Sequence, residues 1–254
     1  MLPERTVTLT ATDRPHYLSQ VLGSLARVRG VGQWQLIVGL EPGHEECASI
    51  CQAVDFMPVT LLRNEARRGI RDNPFHVLSH AFDHGSRLNI HLEDDTVVSP
   101  DVAALADWYA AAVPGDRLGE LRIIFLNLFF TSAGGEPAEQ IVLSRDYSPW
   151  GLVMNDVQWR THVEPQWWND DHDYRPNDDW TISLMAYIDR SADIGLLVPR
   201  LSRVRNIGRE GGVHSWPERF DEYVDGLIMS EDEGPFDYHI DVDGRAEWRL
   251  PQWD

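Results

Sequence analysis

The chain has 254 residues, 22 of them Lys or Arg and 41 Asp or Glu, for a formal net charge of −19. That balance argues against a protein that coats duplex nucleic acid by counterion release, because such proteins present broad basic faces. All 22 of the Lys and Arg positions are Arg, which excludes a catalytic lysine and a Walker-type phosphate lysine.

In chain order, Val7 to Thr10 predicts a strand, His16 to Val28 an amphipathic helix and Trp34 to Leu40 a second strand. Glu45 to Val54 predicts a helix, Val59 to Arg63 a strand, Asp72 to His84 a helix and Leu88 to Leu92 a strand. The alternation predicts an α/β fold with a doubly wound, mostly parallel sheet. No Gly-x-Gly-x-x-Gly follows the first strand, which argues against the usual dinucleotide-binding fold. The second half is rich in Trp. Asp101 to Ala112 predicts a helix, Leu121 to Phe130 and Gln140 to Leu143 strands, and the stretch from Gly151 through Trp159 a helix. An acidic, aromatic loop from Trp167 to Pro176, a helix from Asp178 to Arg190, a strand at Leu196 to Pro199 and a Gly-rich loop at Gly208 to Gly212 complete the pattern. The tail from Ser230 is acidic. No stretch approaches the roughly 18 apolar residues of a membrane helix, so the expectation is a soluble, cytoplasmic protein without a membrane partner. Cys47 and Cys51, four apart in a predicted helix, read as buried thiols rather than a disulfide.

The sharpest local signal is Glu93-Asp94-Asp95, directly after an apolar strand. Carboxylates there stand at the carboxyl edge of the sheet, where open α/β folds bind ligands, and a hard divalent cation could bridge them to a diphosphate. The competing reading is an acidic turn ahead of the helix at Ser99-Pro100-Asp101. Two arginine clusters, Arg63, Arg67, Arg68 and Arg71, and Arg200, Arg203, Arg205 and Arg209, either meet phosphate or pair with the abundant acids. His76, His80 and His84 share a helix face and read as a polar face rather than a zinc site. Asp170 to Asp173 reads as an acceptor-side loop or a solvated turn. Trp150 and Trp180, which flank Gly151 and Asp178, are the aromatics assigned to substrate.

Several stretches together resemble the N-acetylglucosaminyltransferase I type of GT-A glycosyltransferases: Ala11-Thr-Asp-Arg14, Gly43-His-Glu-Glu46, the acidic triplet with Val97-Val-Ser-Pro-Asp101, Asp178-Asp-Trp180, and Pro199 to Arg203 running on to Gly208-Arg209 and Val213-His214. The resemblance implies a single GT-A domain over residues 1–218, with a nucleotide half at 1–98 and an acceptor half at 99–218, followed by an acidic extension at 219–254. It implies that Arg14 holds the nucleotide, that Glu41 takes the place of an aspartate recognising uracil, and that Asp95 binds manganese, or magnesium, on the donor diphosphate. Glu93 and Asp94 would meet ribose and sugar hydroxyls. Asp178 matches the general base, with Asn177 where an aromatic usually precedes it, and Arg209 matches a loop that orders over the donor. From the residues themselves, Asp72 and Asn73 are further donor contacts, and Trp150, Gly151, Asp179 and Trp180 line the acceptor side.

An inverting transferase needs one carboxylate to take the acceptor proton and a cation to stabilise the leaving diphosphate. The expectation is therefore inverting transfer from a UDP-sugar such as UDP-GlcNAc to a glycan, a small molecule or a hydroxymethylated base in phage DNA, in a bacterial cell or phage-infected host. A non-catalytic sugar-nucleotide-binding module is the alternative.

Overall fold

The computed structural model describes residues 4–131, 135–169, 180–211, 220 and 227–245. Its first half is a run of strands and helices in alternation: β1 (Arg5–Ala11), α1 (Pro15–Leu25), β2 (Gln35–Leu40), α2 (Glu45–Gln52), β3 (Val59–Arg63), α3 (Gly69–Asp83) and β4 (Leu88–Glu93). Then follow β5 (Thr96–Val98), α4 (Val102–Ala112), β6 (Arg117–Leu118), β7 (Leu121–Asn127), β8 (Gln140–Ser144) and β9 (Leu152–Asn155). After α5 (Asp156–Gln158) and a π-helical turn at Trp159–Val163 come α6 (Thr181–Arg190), β10 (Ile194–Pro199), β11 (Val204–Asn206) and β12 (His239–Arg245).

The main sheet runs β12-β8-β10-β7-β9-β4-β1-β2-β3, with β6 on β7. The block β4-β1-β2-β3 is parallel throughout, as the βαβ alternation demands. β9 lies antiparallel between β4 and β7, and β10 is parallel to β7 and antiparallel to β8. β12, from the acidic tail, pairs parallel with β8 at the outer edge. β5 and β11 make a separate antiparallel pair just beyond β4.

Helices cover both faces. On one, Val7, Leu9 and Ala11 of β1 pack with Leu18 and Val21 of α1, Cys47 of α2 and Leu105 and Tyr109 of α4. On the other, Leu78 and Phe82 of α3 meet Leu184 and Ile188 of α6 and a tryptophan cluster of Trp159, Trp167 and Trp180. β1 therefore alternates its apolar residues toward the first core and its threonines toward the second. The buried threonines are satisfied along the sheet: Thr6 shares a hydrogen bond with Ser86 at 2.7 Å, Thr8 donates to Asn89 Oδ1 at 3.0 Å, and Asn89 donates to Thr6 Oγ1 at 2.8 Å.

The stretch from Gly151 through Trp159 is not one helix. Residues 152–155 form β9, four fully or nearly fully buried side chains held between β4 and β7, and the helix is cut to α5. There Asn155 and Gln158 make a reciprocal capping box, with Gln158 N–H donating to Asn155 Oδ1 at 2.9 Å and Asn155 N–H to Gln158 Oε1 at 3.0 Å.

Candidate functional site

Four chain segments meet at the carboxyl edge of β1 and β4. Arg14 stands at the start of α1, where Pro15 opens the helix and fixes the turn out of β1. Its guanidinium spans the turn after β4, with Nη1 donating to Asp95 Oδ2 at 2.6 Å and Nη2 to Asp94 Oδ1. Both carboxylates are nearly buried, at 3 % and 8 % side-chain exposure for Asp94 and Asp95. The second oxygen of Asp94 accepts from Thr12 N–H at 3.0 Å and Thr12 Oγ1 at 3.3 Å. The second oxygen of Asp95 accepts from Asn206 Nδ2 at 3.2 Å, and Ile207 N–H donates to the Asp95 carbonyl at 2.7 Å. The β5–β11 pairing, with Asn206 opposite Thr96, sets that distance.

Charge and burial oppose each other here. Burial pushes the Asp95 carboxyl above its usual pKa; Arg14 pulls it back and Asp94 pushes it up again. Burial would lower the pKa of Arg14, but Asp95 and Asp94 outweigh it and hold the guanidinium firmly charged. Gly208 packs against Asp95 from the other side, where a Cβ would stand 2.0 Å from Asp95 Oδ2. Only a glycine leaves that oxygen room. Arg209 is exposed on the same loop, while Glu210 N–H donates to the Tyr17 hydroxyl at 3.2 Å and ties the loop to α1.

The donor set suits a hard cation, being all carboxylate oxygen. Among the described residues no three His, Cys, Asp or Glu side chains converge to hold a metal, so an ion bound here would take further ligands from water or from a substrate, as Mg²⁺ usually does. Asp95, with Asp94 beside it, would hold it.

The other expected residues fall in different surroundings. Glu41 ends β2, and both its oxygens accept from the start of α3, at 3.0 Å from Arg68 N–H and 2.7 Å from Gly69 N–H. Asn73 lies under the sheet with 2 % exposure. Its Nδ2 donates to the Gly39 carbonyl at 2.9 Å and its Oδ1 accepts from Asn64 at 3.0 Å. Asp72 pairs with Arg68 at 2.8 Å and lines an open cavity of about 380 Å³ with Arg63, Asn64, Arg67 and His76. Glu93, the last residue of β4, is half-buried opposite Thr10.

Trp180 is 1 % exposed. It stacks on Trp167 at 4.6 Å and meets the edges of His91 and Tyr147, so its ring belongs to the core. Trp150 is half-buried against Phe129. Gly151 takes φ +81°, and a Cβ there would stand 2.8 Å from Val204 Cγ1, so it permits β11 to pack closely. Asp178 and Asp179, and the acidic run Asp170 to Asp173, lie outside the described residues. His80 and His84 stack on the solvent side of α3 at 4.1 Å.

Three further residues received no functional role from the sequence. Thr12 stands inside Ala11-Thr-Asp-Arg14 but received no role of its own, and Asn206 carries no motif signal; each is recognised as a support only through its carboxylate partner. Trp168 is the third. Its neighbour Trp167 is locked inward by a reciprocal pair of bonds, Trp167 Nε1 to the Arg71 carbonyl at 3.0 Å and Arg71 Nη2 to the Trp167 carbonyl at 2.7 Å. Trp168 therefore turns outward with 47 % exposure, under the Arg71 guanidinium at 4.8 Å and against Phe75.

No protein-family model and no curated protein matches the chain. Solved structures do. S. aureus TarS 1–349 in complex with UDP-GlcNAc superposes with a TM-score of 0.56 at 12 % identity, over 87 % of this chain and 64 % of that one. The same protein in complex with UDP gives 0.55 at 10 % identity, over 79 % and 59 %. The chain thus spans less than two thirds of the length of these neighbours. A mannosyltransferase from Pyrobaculum calidifontis, PcManGT, with GDP-Man and Mn²⁺, reaches 0.44 at 12 % identity over 61 % and 45 %, too loose to carry an argument. At such identities what is shared is architecture: this chain has the GT-A fold of the nucleotide-diphospho-sugar transferases.

Proposed function

We propose that the protein is a metal-dependent, inverting glycosyltransferase that moves a sugar from a UDP-sugar, with UDP-GlcNAc as the first donor to test, to an acceptor hydroxyl. The observation that carries the reading is the Arg14, Asp94 and Asp95 cluster at the carboxyl edge of β1 and β4, the edge at which open α/β sheets take their ligands. The finer resemblance to the N-acetylglucosaminyltransferase I type belongs to the same proposal.

In this reading Asp95 holds Mn²⁺ or Mg²⁺, oriented by Asn206 and given room by Gly208. A divalent ion there supplies positive charge to a leaving diphosphate. Thr12 fixes Asp94, which with Glu93 faces the ribose and sugar hydroxyls, and Arg209 comes over the donor from its loop. The cavity lined by Arg63, Arg67, Arg68 and Asp72 lies beside Glu41 and takes the nucleoside end. Asp178 accepts the proton of the attacking hydroxyl. Trp168 offers an apolar ring to a sugar of the acceptor side, the part first given to Trp150, Gly151, Asp179 and Trp180.

The test is a donor screen. Purified protein with MnCl₂ and a panel of UDP-, GDP- and dTDP-sugars is followed for slow release of free nucleotide. Release from one UDP-sugar that EDTA and Asp95→Ala both remove supports the reading and opens an acceptor screen of glycans, small molecules and hydroxymethylated DNA. Asp178→Asn should then lose transfer while keeping UDP and Mn²⁺ binding. Absence of any nucleotide binding by calorimetry ends the proposal.

A further inference from the structure

We propose that Arg14 is the built-in counter-ion of the metal site, and that a divalent cation loads well only when a nucleoside diphosphate takes the guanidinium over. This rests on the metal-dependent reading above and concerns how that site is regulated.

Within the protein every carboxylate oxygen of the pair is engaged. Asp94 Oδ1 and Asp95 Oδ2 hold Arg14, Asp94 Oδ2 holds Thr12, and Asp95 Oδ1 holds Asn206. The oxygen beside the space kept by Gly208 is Asp95 Oδ2, the one that Arg14 Nη1 occupies. A cation arriving there meets a positive charge already seated, and the two compete for the same lone pairs.

Among the described residues the only side-chain acceptors of the Arg14 guanidinium are Asp94 and Asp95. Its side chain is 12 % exposed, with the Tyr17 ring 5.8 Å on one side and Gly211 on another, close enough that a Cβ there would stand 3.3 Å from Arg14 Cδ. Its Nε–H is buried with no acceptor among the described residues. Pushing the guanidinium off the acids with a metal alone strands a desolvated charge, which is strongly unfavourable. A diphosphate removes the penalty, since it presents several anionic oxygens in a spacing a planar guanidinium can fork. Metal and donor then bind cooperatively, each relieving a cost that the other faces alone, and the coupling is reciprocal. When no donor is present Arg14 offsets one of the two negative charges of the acid pair and occupies an oxygen of each, which weakens the hold on adventitious cations.

The experiment titrates Mn²⁺ into metal-free protein and follows free Mn²⁺ by electron paramagnetic resonance, with and without UDP. For the wild type, weak binding of Mn²⁺ alone and at least about tenfold tightening by UDP is expected, within the usual range of coupling. In Arg14→Met, Mn²⁺ alone should bind about tenfold tighter than in wild type, and UDP should add little. Arg14→Lys keeps the charge without the fork and should fall between; it decides the matter if the Met variant does not fold. Mn²⁺ affinity in the absence of UDP that is unchanged in the folded variants overturns the counter-ion proposal alone. Failure of wild type to bind Mn²⁺ even with UDP, or equal binding by Asp95→Asn, overturns the metal site itself.

Discussion

Arg203 Nε donates to Asp101 Oδ2 at 2.8 Å, and neither side chain has any surface exposed to solvent. Tyr238 donates to the same oxygen at 2.8 Å and Ser99 to the other at 2.6 Å, so the pair joins the start of α4, the approach to β11 and the segment that leads into β12. Breaking a buried pair by removing one partner leaves a bare charge and costs about 3 to 5 kcal/mol. Arg203→Met is expected to lower the melting temperature by on the order of 10 °C. A scanning-calorimetry shift of only a degree or two would mean that Tyr238 and Ser99 suffice for Asp101.

Gly208→Ala should separate binding from folding. The added methyl would stand 2.0 Å from Asp95 Oδ2, so the loop or the carboxylate must move. The expected outcome is at least about tenfold weaker Mn²⁺–UDP binding by calorimetry, equivalent to about 1.4 kcal/mol, with the far-UV spectrum retained. Unaltered binding would show that Asp95 Oδ2 faces no ligand.

His91 gives the fold an acid sensitivity. Its Nδ1 lies 3.0 Å from Thr8 Oγ1 and its Nε2 is buried without a partner among the described residues, and burial pushes its pKa down from 6.5 to about 3. The folded chain keeps this imidazole neutral, whereas the unfolded chain protonates it below pH 6.5. The stabilisation is therefore complete above pH 6.5 and is lost as pH falls toward 3, by up to roughly 1.4 kcal/mol per pH unit. Urea midpoints measured from pH 7 to pH 4 should fall less steeply for His91→Gln than for wild type; parallel curves would count against the assignment. The pKa of His162, also lowered by burial although Asp116 opposes it, acts in both proteins alike.

Trp168→Ala tests the acceptor side. Because Trp168 is 47 % exposed, the melting temperature should move by no more than a few degrees. Once an acceptor is known, its KM should rise about tenfold while hydrolysis of the donor alone keeps its rate. A loss of donor hydrolysis as well would make Trp168 a packing residue of α3 instead.

The first half of the fold was readable because its strands carry short apolar or alternating runs between polar breaks, and β3 coincides with the predicted Val59 to Arg63. β9 was misread for an equally local reason. Leu152-Val-Met-Asn155 is a short run buried on both faces, and such a run has no period to tell strand from helix. At the site, the acids announced themselves through their position after β4, but their supports did not. Asn206 reaches Asp95 across 111 positions of sequence, and Glu41 meets the start of α3 across 27 and 28 positions. Nothing local to Glu41 marks it as a helix cap, and nothing local to Trp180 marks it as core rather than platform. Only packing distinguishes Trp167, turned in, from Trp168, turned out.

β9 has a consequence for how the molecule holds together. Among the described strands it is the one that hydrogen-bonds to both β4 and β7, so the parallel block carrying Arg14 and the acid pair is joined to the remainder of the sheet through four residues. Local opening of one half frees only the β9 amides that point to it and leaves the others bonded to the remaining neighbour, so the whole strand is released only when both neighbours have gone. The amides of residues 152–155 should accordingly exchange hydrogen with deuterium in two sets, each reporting the opening of the half it bonds to, and the sets coincide only if the sheet unfolds as one unit, while the Gly208 loop exchanges at a rate of its own.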